Sequence, residues 1–280
     1  GPTPVSALIH AATMVAAGVF MMVRLCSFGF LTPAVLDAVL ILCSLMAFCA
    51  GLWALGQTDI KKILAYSTLA HLGLMGAGVA LGYDLAMYHL TTHAFFKATL
   101  FLAAGSIIHA CAHEQDIYKM GGLFRRMPAT SIAALVAALS IIAVPYFSGY
   151  YSKEAIVLAS YARSAGGALL DKVSFWLVFA AAAFTPIYMF RLFFNVFCGT
   201  PHSEGAEKAR ESSLWMTLPL AVLAAYSAVG AWSYAYGFEW LGGKWNFLMP
   251  SAATKFVGDL LKLHSPSPDS AEAVRIVARA

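Results

Sequence analysis

Long apolar runs alternate with short polar turns along most of this chain, and the few polar positions inside the runs fall at helical intervals. A run of about 18 or more apolar residues is long enough to cross a bilayer as a helix. The pattern predicts helices over residues 4–30, 33–55, 60–81 and 84–112, then one span in two pieces (129–146 and 152–162), then 173–198 and 214–236. Pro2 and Pro4 suit a first turn, and Thr58 or Asp59 can cap the third helix. Lys61 and Lys62 sit badly against the dipole of that helix, so something other than helix stability places them there. The period-2 alternation of a barrel is absent. The fold class is therefore all-α, a polytopic transmembrane bundle of about seven spanning helices with one discontinuous. Residues 1–236 form this domain, and 237–280 are expected to hold an interfacial helix (245–263) and a mobile tail.

The stretch 84–112, DLAMYHLTTHAFFKATLFLAAGSIIHACA, is apolar enough to span yet carries His89, His93 and Lys97. Four-residue spacing keeps all three on one helix face. A lysine near mid-membrane costs ~3 kcal/mol or more, and such residues normally face a polar interior and mark an ion path. Two imidazoles stacked one turn apart beneath the ammonium look like a proton relay. The plainer reading is a snorkelling lysine and two hydrogen-bonded histidines, but Phe95, Phe96 and a long apolar run flank Lys97 on its way out. His89 and His93 also have metal-ligand spacing, although an ammonium beside them repels a cation.

A second signal is VPYFSGYYSKEAIV, where Pro145 and Gly149 bracket a stretch that no regular helix runs through. A broken helix is tolerated in a membrane only where its freed backbone groups meet protein or line a wet cavity. Lys153 and Glu154 follow the break, as an ordinary interfacial ion pair or as a proton donor and its next partner. His10 is ambiguous, since a lone histidine in an apolar helix is more often a satisfied core residue. Arg191 reads as structural, bonding carbonyls or a carboxylate, and His109 and His113 read as solvated.

Composition agrees. Of the residues, 60% are hydrophobic and 11% charged, against roughly 25% charged in soluble domains. The net charge of +4 is spread over loops and suggests neither a nucleic-acid partner nor a polybasic lipid anchor. Five cysteines form no CxxC pair, read as small core residues, and argue against an iron–sulfur site. There is no nucleotide-binding loop and no set of redox ligands, so any driving force comes from elsewhere. With strict alternation, Lys61, Lys62, Lys119, Arg125, Arg126, Lys208 and Arg210 collect on one side, and Arg24, Arg163, Lys172 and Lys244 on the other. Seven against four places the first group, and Gly1, on the cytoplasmic or matrix side. The chain opens without an initiator Met or a charged leader, so a preceding segment is expected elsewhere.

Five stretches carry a family resemblance: GPTPVSALIHAATMV (1–15), QTDIKKILAYST (57–68), HLTTHAFFKATLFLAAGS (89–106), HEQDIYKMGGL (113–123) and FSGYYSKEAI (147–156). They closely resemble the large antiporter-like subunits of respiratory complex I, chain L of the bacterial NADH–quinone oxidoreductase and subunit five of the mitochondrial enzyme. The resemblance runs over most of residues 1–219 and is weak beyond Tyr236. It implies that His89, His93 and Lys97 form a central-axis proton relay, that Lys153 is the lysine of a second broken helix near the exit, and that His10 belongs to the helix after the first. Glu154 stands where the family often has Asp. It further implies that FMN, iron–sulfur clusters and quinone sit on partner subunits, with none of them on this chain. The other membrane-arm subunits and lipid are the expected neighbours.

The family's first half, with its own broken helix, falls before Gly1, and nothing after Tyr236 looks like the family's lateral helix. The expectation is therefore the exit half of a pathway, one of two inverted repeats, completed by a separate chain or a missing segment. A split subunit leans towards a mitochondrial inner membrane, with a bacterial cytoplasmic membrane as the alternative. Competing functions are the large subunit of a multi-subunit Na+/H+ antiporter, a membrane-bound hydrogenase subunit, or a remnant that only fills the membrane arm. The retained buried charges argue against the last.

Overall fold

The computed structural model describes residues 5, 7–9 and 13–230 of the chain. His10 and the expected interfacial helix and tail after residue 236 lie outside the described residues. Among the described residues the chain is helical: α1 (Met14–Ser27), α2 (Pro33–Gly56), α3 (Ile60–Leu81), α4 (Tyr83–Ala110), α5 (Pro128–Ile142), α6 (Ser148–Ser164), α7 (Leu169–Phe197), the short α8 (Glu204–Lys208) and α9 (Leu214–Val229). α2, α3, α4 and α7 are each long and apolar enough to cross a membrane, while α1, α5 and α9 are shorter apolar helices. The expected discontinuous span is α5 and α6. The 15 residues of α5 rise about 22 Å at 1.5 Å each, short of the ~30 Å hydrocarbon core.

α4 is the centre, packed against α1, α3, α5, α6 and α9. Its buried side chains run around most of its surface, as expected of a helix without a polar outer face. α2 and α7 instead turn Leu42, Leu45, Trp53, Trp176, Phe179 and Phe194 outward. In a bilayer such residues meet lipid or neighbouring subunits, and their exposure carries no penalty there. α2 and α3 are the tightest pair: a Cβ on Gly73 would lie 2.6 Å from Cys43 O and Ala47 N, so only glycine lets these backbones approach so closely.

Polar contacts gather at the two ends. At one end Asp59 caps α3, its Oδ1 accepting from the Lys61 and Lys62 backbone N–H groups at 2.8 and 3.2 Å. The cap uses the backbone of the two lysines and not their side chains, so it starts the helix without accounting for the choice of lysine. The neighbouring loop makes a matching turn, Asp116 accepting from Tyr118 N–H. The two stretches pair through Ile60 N–H to Gln115 O and Ile117 N–H to Thr58 O, both 3.0 Å. Backbone N–H groups of Asp116 and Gln115 hold the Glu114 carboxyl below the usual carboxylate range. Glu211, from the loop before α9, caps α5 by accepting from Ala129 N–H at 2.8 Å and from the Thr130 hydroxyl at 2.6 Å. At the other end Arg163 binds Asp171 at 2.8 Å, Asp37 and the Ala80 carbonyl, drawing together the ends of α2, α3, α6 and α7. Arg191 meets the carbonyls of Ala54 and Gln57 at 3.1 and 2.6 Å, the structural role expected of it, at the negative end of the α2 dipole.

The break differs from expectation in its limits. α5 stops at Ile142 rather than 146, and α6 starts at Ser148 rather than 152. Pro145 disfavours helical backbone at Val144, so the helix closes earlier, on Ala143 in the left-handed region at φ 72°. Tyr146, at φ 74°, is a second non-glycine residue there, and each such residue costs about 1–2 kcal/mol. The returning chain crosses α5 at Gly149, where a Cβ would stand 1.9 Å from Ser140 O. Gly149 N–H donates to Ser140 Oγ at 3.2 Å, satisfying one of the orphan donors at the start of α6.

Candidate functional site

The interior where α3, α4 and α6 meet holds basic and hydroxyl side chains in contact. His89, His93 and Lys97 are buried on one face of α4, as the spacing predicts, with Lys97 fully enclosed at 0% exposure. A buried ammonium needs acceptors, and Lys97 Nζ donates to the Leu64 carbonyl of α3 at 3.0 Å. That carbonyl also accepts from the Thr68 hydroxyl at 2.9 Å.

The structure adds a residue that sequence reasoning missed. His71 of α3, also fully buried, places Nδ1 2.9 Å from His89 Nε2, the two rings stacked at 5.1 Å. His93 packs against His71 with ring centroids 5.5 Å apart, and Phe96 lies edge-on to both. His71 is 18 residues from His89, so no local spacing pairs them. The available signal was its position as an ionisable side chain inside a spanning helix, which marks a functional candidate by default.

On its other side His89 Nδ1 lies 3.0 Å from Ser152 Oγ of α6. Ser152 is also 2.7 Å from the Thr92 hydroxyl, one turn from His89 on α4. A neutral imidazole has one donor and one acceptor nitrogen. Two tautomer patterns satisfy the row: protons pointing from His71 towards Ser152, or all reversed. A proton arriving at His71 Nε2, which is buried and has no partner among the described residues, can convert one pattern to the other if His71 passes Nδ1–H to His89, His89 passes Nδ1–H to Ser152 Oγ, and Ser152 releases its own hydroxyl proton towards the Thr92 oxygen 2.7 Å away.

Lys153 follows Ser152 in α6 and is also buried. Consecutive helix positions diverge by about 100°, so its side chain leaves the histidine row and reaches α7, donating to Ala182 O at 3.1 Å. Glu154 is half-buried on the same helix. A further set of hydroxyls lies where α4, α5, α6 and α9 converge. Ser148 donates to Ser227 O at 2.6 Å and lies 3.1 Å from Ser140 Oγ, and Thr99 lies 3.4 Å from Ser227 Oγ. His109 and His113 are exposed, as expected. Of the cysteines Cys111 is buried and Cys26, Cys43 and Cys49 are partly so; Cys198 departs from the core reading and is exposed, because it caps the end of α7 at a loop.

The family model described as NADH:quinone oxidoreductase/Mrp antiporter, TM, matches residues 1–181. Chain 5 of NADH-ubiquinone oxidoreductase from Yarrowia lipolytica is 39% identical over 236 residues, covering 83% of this chain and 36% of that protein. Subunit L of NADH-quinone oxidoreductase from Pseudomonas aeruginosa is 45% identical over 234 residues, covering 82% and 37%. The chain thus spans about a third of the length of the curated relatives it matches. Among solved structures it is similar to a chain of the membrane-bound sulfane sulfur reductase, an archaeal respiratory membrane complex, with TM-score 0.62 and 27% identity over 70% of this chain and 32% of that one. A chain of the Mrp complex from Dietzia sp. DQ12-45-1b shares the fold, with TM-score 0.64 and 19% identity over 88% and 49%. With its recurrent apolar helices and these relatives, the chain is a multi-pass membrane protein that belongs to the NADH:quinone oxidoreductase/Mrp antiporter transmembrane family.

Proposed function

We propose that this chain works as a proton-translocating membrane-arm subunit of NADH–quinone oxidoreductase. The observation that carries the reading is the buried row His71–His89–Ser152, flanked by two enclosed lysines, Lys97 and Lys153, that donate to backbone carbonyls. Lys97 holds and releases a proton. His71, His89 and His93 pass it along the bundle interior, and Ser152 and Lys153, with Glu154 beside them, hand it towards the outer face. Flavin, iron–sulfur clusters and quinone belong to partner subunits, and a separate chain or segment supplies the other half of the pathway. Coupling is electrostatic: changing the charge on one buried site shifts a neighbour's proton affinity. The expected residence is the mitochondrial inner membrane or a bacterial cytoplasmic membrane.

The first test is a gentle extraction of native membranes, resolution on a native gel and mass spectrometry of what co-migrates. Flavin and iron–sulfur subunits in the same band support the reading. A band holding only small membrane subunits favours a second one, the large subunit of a multi-subunit Na+/H+ antiporter, which the fold shared with the Mrp chain supports. Within the complex, Lys97→Ala is expected to lower proton pumping by about a hundredfold or more, the lower range for loss of a proton-transferring group. Pumping at the wild-type rate removes Lys97 from the pathway.

A further inference from the structure

The acceptor that holds Lys153 exists because of a residue thirty-three positions away. α7 continues as a helix through Pro186. In a regular helix the N–H of residue 186 bonds the carbonyl of residue 182, but proline has no N–H. Ala182 O therefore lacks its normal intrahelical partner, and it is this oxygen that Lys153 Nζ meets at 3.1 Å. Lys153 is 98% enclosed, on a helix different from α7 and against the middle of its length. A half-buried carbonyl without a donor and a buried ammonium without an acceptor are each costly alone. Here each satisfies the other.

We propose that Pro186 is a positioning residue for proton transfer: by withholding its N–H, it leaves Ala182 O open as the docking acceptor that seats the Lys153 ammonium against α7. The inference rests on Lys153 being a proton carrier. The bland reading is that Pro186 serves only the shape of α7, since proline is common in membrane helices, where neighbours re-satisfy the freed carbonyl. Pro219, inside α9, provides the contrast: it too interrupts a helix ladder, but it frees the carbonyl of Trp215, which is 89% exposed at the surface.

The test uses the intact complex in proteoliposomes, with protons moved per electron and the thermal stability of the assembly as readouts. Pro186→Ala supplies an N–H that claims Ala182 O, so pumping is expected to fall roughly tenfold, the factor carried by a hydrogen bond to a charged group. Assembly stability should hold or rise, because α7 regains a ladder bond. Pro219→Ala should leave pumping unchanged. In a double-mutant cycle, Pro186→Ala should add no further loss to Lys153→Ala, since it acts through that lysine. Wild-type pumping in Pro186→Ala, an equal loss in Pro219→Ala, or additive losses in the cycle each overturn the inference. Wild-type pumping in Lys153→Ala overturns the pathway reading itself, and a loss there with none in Pro186→Ala overturns the positioning role alone.

Discussion

The two enclosed lysines are held by the same kind of group under opposite conditions. Lys97 docks on Leu64 O in the unbroken α3, an oxygen already used by the helix ladder and by the Thr68 hydroxyl. Lys153 docks on Ala182 O in α7, which the ladder has given up. The two contacts are of similar length, 3.0 and 3.1 Å, so the difference lies in what else each oxygen accepts. The difference teaches that a buried cation in this bundle is tuned by the carbonyl it meets, through the presence or absence of one N–H on a neighbouring helix. Glu154, next to Lys153 on α6, is a second difference between the two sites.

The contrast depends first on α6 staying where it is. Gly149→Ala forces a Cβ to within 1.9 Å of Ser140 O, and neither backbone can yield without moving the helix that carries Lys153. Overpacking of this kind costs about 1–3 kcal/mol or more. The expected outcome is a sharp loss of assembled subunit on a native gel, and normal yield would mean that the α5–α6 crossing is looser than described. Next in size is a pair of substitutions that keep the donor but pin the proton. Lys97→Arg and Lys153→Arg both retain cations that bond carbonyls, yet arginine does not deprotonate in proteins. Each should lower pumping by roughly a hundredfold or more, and a variant that pumps normally would identify its lysine as an anchor between helices. The smallest effect is expected from Thr68→Val. Removing the hydroxyl relieves the competition at Leu64 O, so Lys97 should bind that carbonyl more firmly. A change of roughly twofold to fivefold in pumping rate, with assembly intact, would support the crowded-acceptor view, as one net hydrogen bond is worth about 1 kcal/mol.

What could be read from the residues followed the range over which each signal acts. The spans of α2, α3 and α4, the Asp59 cap and the shared face of His89, His93 and Lys97 depend on neighbours within a turn or two and stand close to where spacing put them. By contrast, α1 covers Met14–Ser27 of the expected 4–30, and α7 begins at Leu169, four residues before its expected start. Pro145 announced the break, but its limits moved by four residues on each side. A proline excludes helix before itself as well as at itself, and Gly149 serves a close crossing rather than a helix stop. His71, Ser152 with Thr92, and the acceptor of Lys153 were not legible, because each partner sits on another helix. The α5 cap was hidden likewise, since its carboxylate arrives from Glu211, more than eighty residues onward. Contacts between helices follow from rotation and depth, neither of which a hydropathy pattern carries.

The paired loops beside α3 and α4 have a mechanical consequence. These helices are joined at one end by the single residue Gly82. At the other they are buckled by the two backbone bonds between residues 58–60 and 115–117. A hairpin pinned at both ends is a closed frame, so α3 cannot ratchet past α4 by one 5.4 Å turn without unfastening the buckle. The spacing between the His71 and His89 rings is thereby set as in a gauge block. The row is then left two freedoms that do not strain this frame: turning of the rings, and displacement of Ser152 with α6, which joins α5 through the non-helical residues 143–147.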